Sequence, residues 1–198
     1  MLPPYITSKR KIKSSDNIDY QTIFSKKDGS IAAPTAGLHF TDNLIDEITK
    51  KGVRFERITL NIGLGTFLPL RNDKVEDNSL QSEHCFISES TVKKLNEAKK
   101  KKNQRIISVG TTSLRSLETS FNGNEFVPVN SKTNKFIYPG IKINSIDALI
   151  TNFHLPKSSL FILICALMGT KKMLEAYNYA IKNNYRFYSY GDACFLEK

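Results

Sequence analysis

Four short segments of this 198-residue chain combine hydroxyl, amide, imidazole or glycine groups at points where a strand or turn is predicted to lead into a helix. They cover residues 32–41, 63–69, 110–115 and 151–158. Open α/β sheets bind their ligands at the carboxyl ends of the strands. The four segments are therefore the first candidates for a functional site.

Two of these segments contain a histidine, which can donate, accept or transfer a proton near neutral pH. The first reads AAPTAGLHFT; small residues before His39 let a ligand approach the backbone, and the next helix would offer unpaired N–H groups. The last reads TNFHLPKS and would crowd Asn152, His154 and Lys157 at a strand end, where unpaired polar groups are costly. A capped turn with a packed histidine is the structural alternative for the first segment.

The other two segments are rich in glycine. Gly63-Leu64-Gly65-Thr66 lacks the third glycine of a dinucleotide-binding fingerprint, so a tight loop explains it as well as a ligand site does. Gly110-Thr111-Thr112-Ser113 follows a predicted strand and opens a helix, and together with Arg115 it would suit an anion or a ribose. A helix capped by hydroxyl groups is the alternative there.

Outside these segments, Tyr188 to Asp192 place aromatic rings beside a carboxylate. Such rings stack on bases, but they also fill cores. The three histidines and three cysteines are too scattered to suggest a metal site or a disulfide framework. We therefore expect no metal.

The composition gives 29 Lys+Arg against 19 Asp+Glu, a formal net charge of +10. That charge permits a nucleic-acid partner, although solvated surface lysines explain it equally well. With 40% hydrophobic residues the chain fits a globular domain. A plain basic RNA-binding module is the competing class; it accounts for the charge but not for the polar segments at strand ends.

The sequence carries no targeting or membrane signal. Its first residues lack the basic flank and apolar stretch of a secretory signal. The longest apolar run, Leu160 to Met168, is too short to cross a bilayer. We therefore expect a cytoplasmic protein with no membrane partner.

Periodicity, capping residues and β-formers predict alternating strands and helices, which indicates an α/β fold. The first five residues after Met1, LPPYI, read as extended, and residues 121–135 read as turns. Helices are predicted over 42–50, 88–102, 158–168 and 170–183 and after Gly110. Strands are predicted over 53–62, 105–109, 135–138, 141–143, 148–152 and 186–196.

Taken together, these segments resemble one family, the S-adenosylmethionine:tRNA ribosyltransferase-isomerases of queuosine biosynthesis. The long strings AAPTAGLHFT and ITNFHLPKS carry most of the resemblance, and the order and spacing of the motifs agree over essentially the whole chain. The other matching stretches are Leu2 to Ile6, Tyr20 to Thr22, Gly63 to Phe67, Gly110 to Ser113 with Arg115, Tyr138 to Gly140, and Tyr185 to Asp192.

The resemblance implies a reaction. The ribosyl unit of S-adenosylmethionine is attached to the aminomethyl group of 7-aminomethyl-7-deazaguanine in tRNA and isomerised to the epoxycyclopentanediol of epoxyqueuosine. Adenine and methionine leave. S-adenosylmethionine is then a consumed cosubstrate, and no cofactor is expected.

The resemblance also implies a fold: a mixed sheet with flanking helices, the main domain of the family, lacking most of the N-terminal region and the inserted β-barrel. Residues 1–19 would be the end of that barrel or a linker, and residues 20–198 the α/β catalytic-type domain. A separately encoded N-terminal part would then be a partner. Otherwise we expect a monomer.

Roles for individual residues follow from the resemblance as hypotheses. His39, His154 and Asp192 are the candidates for proton transfer. The candidates for substrate binding are Thr35, Gly37, Gly63, Gly65, Thr66, Thr111, Thr112, Arg115, Tyr138, Asn152, Phe153, Lys157 and Tyr190.

Three positions depart from the family pattern. Asn61, Asn78 and Gln81 stand where the family has histidines. An amide keeps some hydrogen bonding but does not titrate near neutral pH. The alternative function is therefore a catalytically impaired remnant that at most binds S-adenosylmethionine or tRNA, or a decayed gene product.

Overall fold

The computed structural model describes residues 2, 4–8, 10–25, 30, 32–63, 70 and 72–198. The α-helices within these ranges are α1 (Pro4–Thr7), α2 (Asp16–Asp19), α3 (Asp42–Lys50), α4 (Glu89–Lys100), α5 (Thr111–Ser120), α6 (Ser159–Met168) and α7 (Thr170–Lys182). The strands are β1 (Thr59–Asn61), β2 (Glu83–Ile87), β3 (Ile107–Val109), β4 (Val129–Thr133), β5 (Ala148–Asn152) and β6 (Ala193–Glu197). Short 3-10 helices cover Thr35–His39 and Val75–Asp77.

The strands form two three-stranded sheets. The first is antiparallel, in the order β1-β2-β4. The second has the order β3-β5-β6, with β3 parallel to β5 and β6 antiparallel to β5. The carboxyl ends of β3 and β5 therefore share one edge, where Ala193 at the start of β6 pairs with Asn152 at the end of β5. Helices flank the sheets, which confirms the expected α/β fold with mixed pairing.

Local capping explains where several predicted helices begin. Thr41 Oγ1 accepts a hydrogen bond from the Leu44 amide at 3.2 Å and starts α3. The Ser88 and Ser158 side chains cap α4 and α6 in the same way. Each cap satisfies one of the amides that a helix leaves unpaired at its N terminus. The helices at 42–50, 88–102, 158–168 and 170–183 are confirmed within two residues at each end.

The main core lies between the sheets, α5 and the α6–α7 pair. Helix α5 buries Leu114 and Leu117 against it, and α6 buries Leu163 and Ile164. Leu149, the second residue of β5, has no exposed surface. Burying one such side chain is worth about 2 kcal/mol. Because this core buries many of them, it holds β5 and α5 rigidly relative to each other.

A second apolar cluster ties the N-terminal residues to the strand-end region. Leu2, Ile6 and Tyr20 pack together, with Ala33 and Leu38 against them. Because Leu38 belongs to the 3-10 helix Thr35–His39, this cluster holds that helix in place. The predicted boundary at residue 19 stays a prediction.

Several sequence-based assignments of secondary structure are wrong. LPPYI is predicted to be extended, but Pro4–Thr7 form a helical turn. The strand predicted over 53–62 is confined to Thr59–Asn61, and that over 186–196 to Ala193–Glu197. Residues 135–138 and 141–143 form no strand, although Ile137 and Ile143 are buried. Apolar residues there mark burial in the core, not strand pairing.

The strand β4 lies within the residues predicted to be turns. Its middle residues are exposed and polar, and β2 supplies the pairing partner. No helix in the described ranges is both long and apolar enough to cross a membrane.

Candidate active site

Asn152, the last residue of β5, joins three segments that are far apart in the sequence. Its Oδ1 accepts a hydrogen bond from Thr35 Oγ1 at 3.0 Å. Its Nδ2 lies 3.2 Å from His39 Nε2 and 3.4 Å from the carbonyl oxygen of Gly191. Asn152 is only 2% exposed, so this amide links segments inside the protein instead of contacting water.

These partners fix the orientation of the amide and the tautomer of His39. A carbonyl oxygen such as that of Gly191 only accepts, so the Asn152 atom facing it must be the NH₂ group. His39 Nε2 therefore accepts from Asn152, and the proton of the neutral ring lies on Nδ1. Because His39 is exposed, Nδ1 is the ring nitrogen left for a ligand.

Two glycines allow the backbone segments at this edge to approach one another. A Cβ on Gly191 would lie 2.5 Å from the Arg186 carbonyl oxygen and from the Phe187 carbonyl carbon. Gly110, between β3 and α5, has φ +86°, in the left-handed region that favours glycine. A side chain at position 191 would displace the loop that carries Asp192, and one at position 110 would strain the backbone where α5 begins.

Asp192 lies beside His39 but is bound by a cation. Its Oδ1 accepts from Arg186 Nη2 at 2.6 Å, and its Oδ2 accepts from the Arg186 backbone amide at 2.7 Å. These hydrogen bonds, with a smaller contribution from His39, lower the pKa of Asp192. Asp192 is therefore an ionised carboxylate at neutral pH and a weak base.

His154 lies on the opposite face of β5. Its Nε2 is 2.9 Å from Thr151 Oγ1, and its backbone amide donates to Tyr177 Oη at 2.8 Å. Consecutive strand residues point to opposite faces, so the Thr151 side chain leads away from that of Asn152. Burial lowers the pKa of His154 to about 4 and keeps the imidazole neutral at pH 7. The structure therefore separates His154 from His39 and Asp192, the other two candidates for proton transfer.

The N terminus of α5 opens on the same edge. Gly110 supplies no capping side chain, and Ala36 of the 3-10 helix is its neighbour: a Cβ on Gly110 would lie 3.8 Å from that of Ala36. Thr111 is buried and Thr112 half-buried. Unpaired amides at a helix N terminus favour an anion, so Thr111 and Thr112 remain candidate ligands for a carboxylate.

Arg115 is occupied within the protein. Its Nη1 lies 2.8 Å from Glu83 Oε2, and both side chains are more than nine-tenths buried. Glu83 Oε1 also accepts from the Gly63 amide at 3.2 Å. The pair therefore joins Gly63 to α5, and substrate binding by Arg115 stays a prediction.

The other predicted substrate-binding residues lie in different surroundings. Phe153 is buried, and its ring centroid lies 5.3 Å from that of Tyr177 and 4.9 Å from that of Phe187. Tyr138 packs on Phe136 at 5.5 Å between centroids. These rings fill the core or a loop, and substrate binding by Phe153 and Tyr138 stays a prediction.

Tyr190 joins the N-terminal residues to this loop, since its hydroxyl donates to buried Asp16 at 3.2 Å. Lys157 is exposed with φ +61°. A Cβ on Gly37 would lie 3.0 Å from the Phe24 ring, so Gly37 packs tightly there. Gly65 and Thr66 lie outside the described residues.

Two of the three departures from the family pattern have clear surroundings. Asn61 lies on β1 directly opposite His84 on β2, so an imidazole is next to it across the strands. Asn78 Nδ2 donates to the carbonyl oxygens of Asn72 and Lys74 at 3.0 and 2.7 Å and closes a surface loop. Gln81 is exposed.

Some groups that form hydrogen bonds in the site give no usable signal in the sequence. The Gly191 carbonyl holds the Asn152 amide, but a backbone carbonyl is the same for every residue type. Tyr177, which accepts the His154 amide, lies on α7 among core residues. The opposite directions of Thr151 and Asn152 could have been read from strand alternation alone.

The three cysteines are unpaired, and burial raises the pKa of each, to about 11 for Cys194. They are therefore protonated at neutral pH and poor nucleophiles. No cluster of three metal-ligating side chains occurs within the described ranges.

The geometry defines an α/β protein with a polar site at the carboxyl ends of two parallel strands, where an exposed imidazole lies at the same edge as a helix N terminus. Similarity to known proteins assigns the chain to a family. A family model described as "Queuosine biosynthesis protein" matches residues 1–196, and the chain belongs to that family.

Two relatives have names that are consistent with this family. The S-adenosylmethionine:tRNA ribosyltransferase-isomerase of Zymomonas mobilis is 50% identical over 98% of this chain and 57% of its own length. That of Rickettsia bellii is 50% identical over 98% of this chain and 55% of its own. The chain thus spans about half the length of these curated relatives.

A solved structure also matches. The crystal structure of S-adenosylmethionine tRNA ribosyltransferase from Thermotoga maritima superposes with a TM-score of 0.67 and 39% sequence identity. The match covers 81% of this chain and 50% of the other. It supports the described fold over most of the chain.

Proposed function

We propose that this chain acts in the S-adenosylmethionine:tRNA ribosyltransferase-isomerase reaction. Asn152 with its partners Thr35, His39 and Gly191, here called the Asn152 cluster, holds the S-adenosylmethionine in this proposal. The observation that carries the proposal is the junction of Thr35, His39 and Gly191 on one buried amide. The names of relatives at about 50% identity supply the reaction class.

The chemistry of the cosubstrate suits this edge of the sheet. The sulfonium acidifies the C5′ proton of the ribose, so that proton must be removed, and adenine must be assisted as it leaves. His39 presents Nδ1–H toward the opening and serves as the hydrogen-bond donor to the departing adenine. The unpaired amides at the start of α5, with Thr112, hold the carboxylate of the methionine part.

Asp192 and His154 take supporting roles in this proposal. Arg186 keeps Asp192 ionised, and this ion pair holds the loop that presents the Gly191 carbonyl to Asn152. His154, neutral and bonded to Thr151, holds the turn that follows β5. The acceptor is tRNA carrying 7-aminomethyl-7-deazaguanine, which would place the protein in the cytoplasm.

The test offers the purified chain S-adenosylmethionine labelled in the ribose and a tRNA carrying 7-aminomethyl-7-deazaguanine. The proposal expects label on the tRNA and release of adenine and methionine. His39→Asn should lower the rate by about 100-fold, the usual effect of removing an acid–base group. Lys171→Ala, an exposed change on α7, is the control and should leave the rate unchanged.

A folded sample that transfers no label contradicts catalysis by this chain. Equilibrium dialysis with S-adenosylmethionine then distinguishes the alternatives. Binding that His39→Asn or Thr35→Val weakens identifies a binding protein that does not turn over, whereas absence of binding contradicts the placement of the cosubstrate as well.

A further inference from the structure

The sheet β1-β2-β4 has one face on the core and one face open to solvent. Cys85, Ile87 and Leu60 point inward and are buried. The residues that alternate with them form what we call the outer face: Thr59, Asn61, His84, Phe86, Asn130 and Lys132.

The strand register arranges these six side chains in two rows. Thr59, Phe86 and Asn130 are opposite one another across the three strands. Asn61, His84 and Lys132 form the next row. Side chains directly opposite in adjacent strands lie about 5 Å apart, so each row makes a continuous strip.

The chemistry of this face is unusual for a solvated sheet. Phe86 is 43% exposed in the middle strand. An imidazole, two amides, a hydroxyl and an ammonium lie around it on the sheet, none of them a carboxylate, and Glu89 at the start of α4 lines the same pocket as Phe86 and Asn130. The acidic residue of β2, Glu83, points to the other side and is 4% exposed, next to Arg115.

Charge and aromatic surface together indicate the occupant. An exposed ring in the middle of a sheet, with amides beside it and cations at the margin, suits a splayed base and its phosphate. Arg57 is exposed two residues before β1 begins and adds a second cation near that end of the sheet. A polyanion also matches the net charge of +10.

The outer face leads toward the Asn152 cluster. The row of Asn61, His84 and Lys132 lies at the Gly63 end of the sheet. Gly63 donates to Glu83, which is paired with Arg115 on α5, and α5 begins at the candidate active site. A strand of RNA on this face would therefore run past Gly63 toward the site.

We propose that the outer face is a docking platform for single-stranded nucleotides of the tRNA substrate, with Phe86 as the stacking ring and Lys132 as a phosphate contact. The identity of the RNA rests on the proposed function. The platform itself rests on the register, exposure and charge of these residues.

The test measures binding of a fluorescein-labelled single-stranded oligouridine by fluorescence anisotropy, without S-adenosylmethionine. Phe86→Ala and Phe86→Leu should weaken binding by about tenfold, and Phe86→Trp should retain it, because stacking needs an aromatic face. Lys132→Ala should lower the slope of log affinity against log salt by about one. An RNA duplex of equal length should compete poorly.

Matched controls are Phe195→Ala, a ring 50% exposed on β6, and Lys171→Ala on α7. Both should bind like the unmodified chain. Since Phe86 is at the surface, its variants should keep the melting temperature. Wild-type binding by Phe86→Leu overturns the platform, as does equal weakening by Phe195→Ala. Loss of self-association in Phe86→Ala with unchanged RNA binding also overturns it and marks a protein interface.

The two proposals fail separately. Binding of RNA that depends on Phe86, without label transfer to tRNA, contradicts the proposed reaction but supports the platform. Label transfer to tRNA with RNA binding indifferent to Phe86 and Lys132 supports the reaction and overturns the platform.

Discussion

The two ends of the sheet β3-β5-β6 use polar residues in different ways. At the amino ends of β3 and β5, Glu118 accepts from the Asn144 and Ser145 amides at 3.0 and 2.9 Å, and Asp147 accepts from the Ile106 amide at 2.7 Å. Each carboxylate there satisfies backbone groups of a loop that it closes.

At the carboxyl ends, Asn152 joins side chains and backbone from three segments, and His39 stays exposed. The partners of each polar group therefore distinguish structural from functional groups within one sheet. Where hydrogen bonds end on nearby backbone, the loss of a side chain costs stability. Where they converge and leave a donor open, it costs activity.

Gly191→Ala should have the largest effect. The new Cβ would lie within 2.6 Å of three backbone atoms of Arg186 and Phe187, so the loop must move and the Asn152–Gly191 contact is lost. Such a displacement should lower label transfer by about 100-fold.

Gly123→Ala is the matched control for Gly191→Ala. Gly123 has φ +103°, but a Cβ at this position would meet nothing within 4 Å. The substitution should therefore cost about 1 kcal/mol of stability and no activity. Equal rates for Gly191→Ala and Gly123→Ala would contradict the importance of the loop.

Asn152→Ala and Glu118→Gln test the comparison directly. Asn152→Ala should lower activity by about tenfold or more, because His39 loses the group that sets its tautomer. Glu118→Gln should lower the free energy of unfolding by about 1–3 kcal/mol and leave the rate per folded molecule unchanged. Denaturant unfolding and label transfer measured on both variants check this; a reversed pattern would refute the distinction.

His154 should make stability depend on pH. Its pKa is lowered to about 4, so the unfolded chain binds a proton between about pH 6.5 and 4 that the folded chain does not. Stability therefore falls as pH drops through this window, by about 2 kcal/mol for this half-buried group.

His154→Gln should flatten that dependence above pH 5, where most carboxylates stay ionised. Urea unfolding at a series of pH values measures it. Identical pH profiles for the two proteins would show that His154 is not buried in its neutral form.

The smallest effect is expected from a substitution in the exposed ion pair of Arg105 and Glu197. Arg105 lies just before β3, and Glu197 is the last residue of β6. Both side chains are 54% exposed, so Arg105→Ala should change the free energy of unfolding by less than about 1 kcal/mol. Thermal unfolding of the variant checks this. A larger loss would mean that the pair contributes to stability more than an exposed ion pair does.

Local signals made much of the fold predictable. Thr41, Ser88 and Ser158 predict helices because a cap acts within four residues. The strand 148–152 was predicted with its observed bounds, because its apolar run is buried on both faces. By contrast, β4 depends on a partner strand, β2, that is distant in sequence, and its own residues are polar.

The candidate site was predictable in its residues but not in its contacts. His39 and Asn152 stand out as polar groups at strand ends, and the structure brings them within 3.2 Å. The pairing of Arg115 with Glu83 and of Asp192 with Arg186 could not be foreseen, because both depend on how α5 and the C-terminal loop pack. His154 and His39 are both imidazoles in segments that precede a helix, but the alternation of side chains along β5 separates their contacts, with Thr151 for His154 and with Asn152 for His39.

One measurement tests the central claim most directly: the imidazole nitrogen spectrum of His39 while S-adenosylmethionine is added to the ¹⁵N-labelled chain. The free protein should show His39 with its proton on Nδ1, and saturation with S-adenosylmethionine should shift that nitrogen while His84 stays unchanged. A His39 signal with the proton on Nε2, or one that S-adenosylmethionine leaves unmoved, would contradict the placement of the cosubstrate at Asn152.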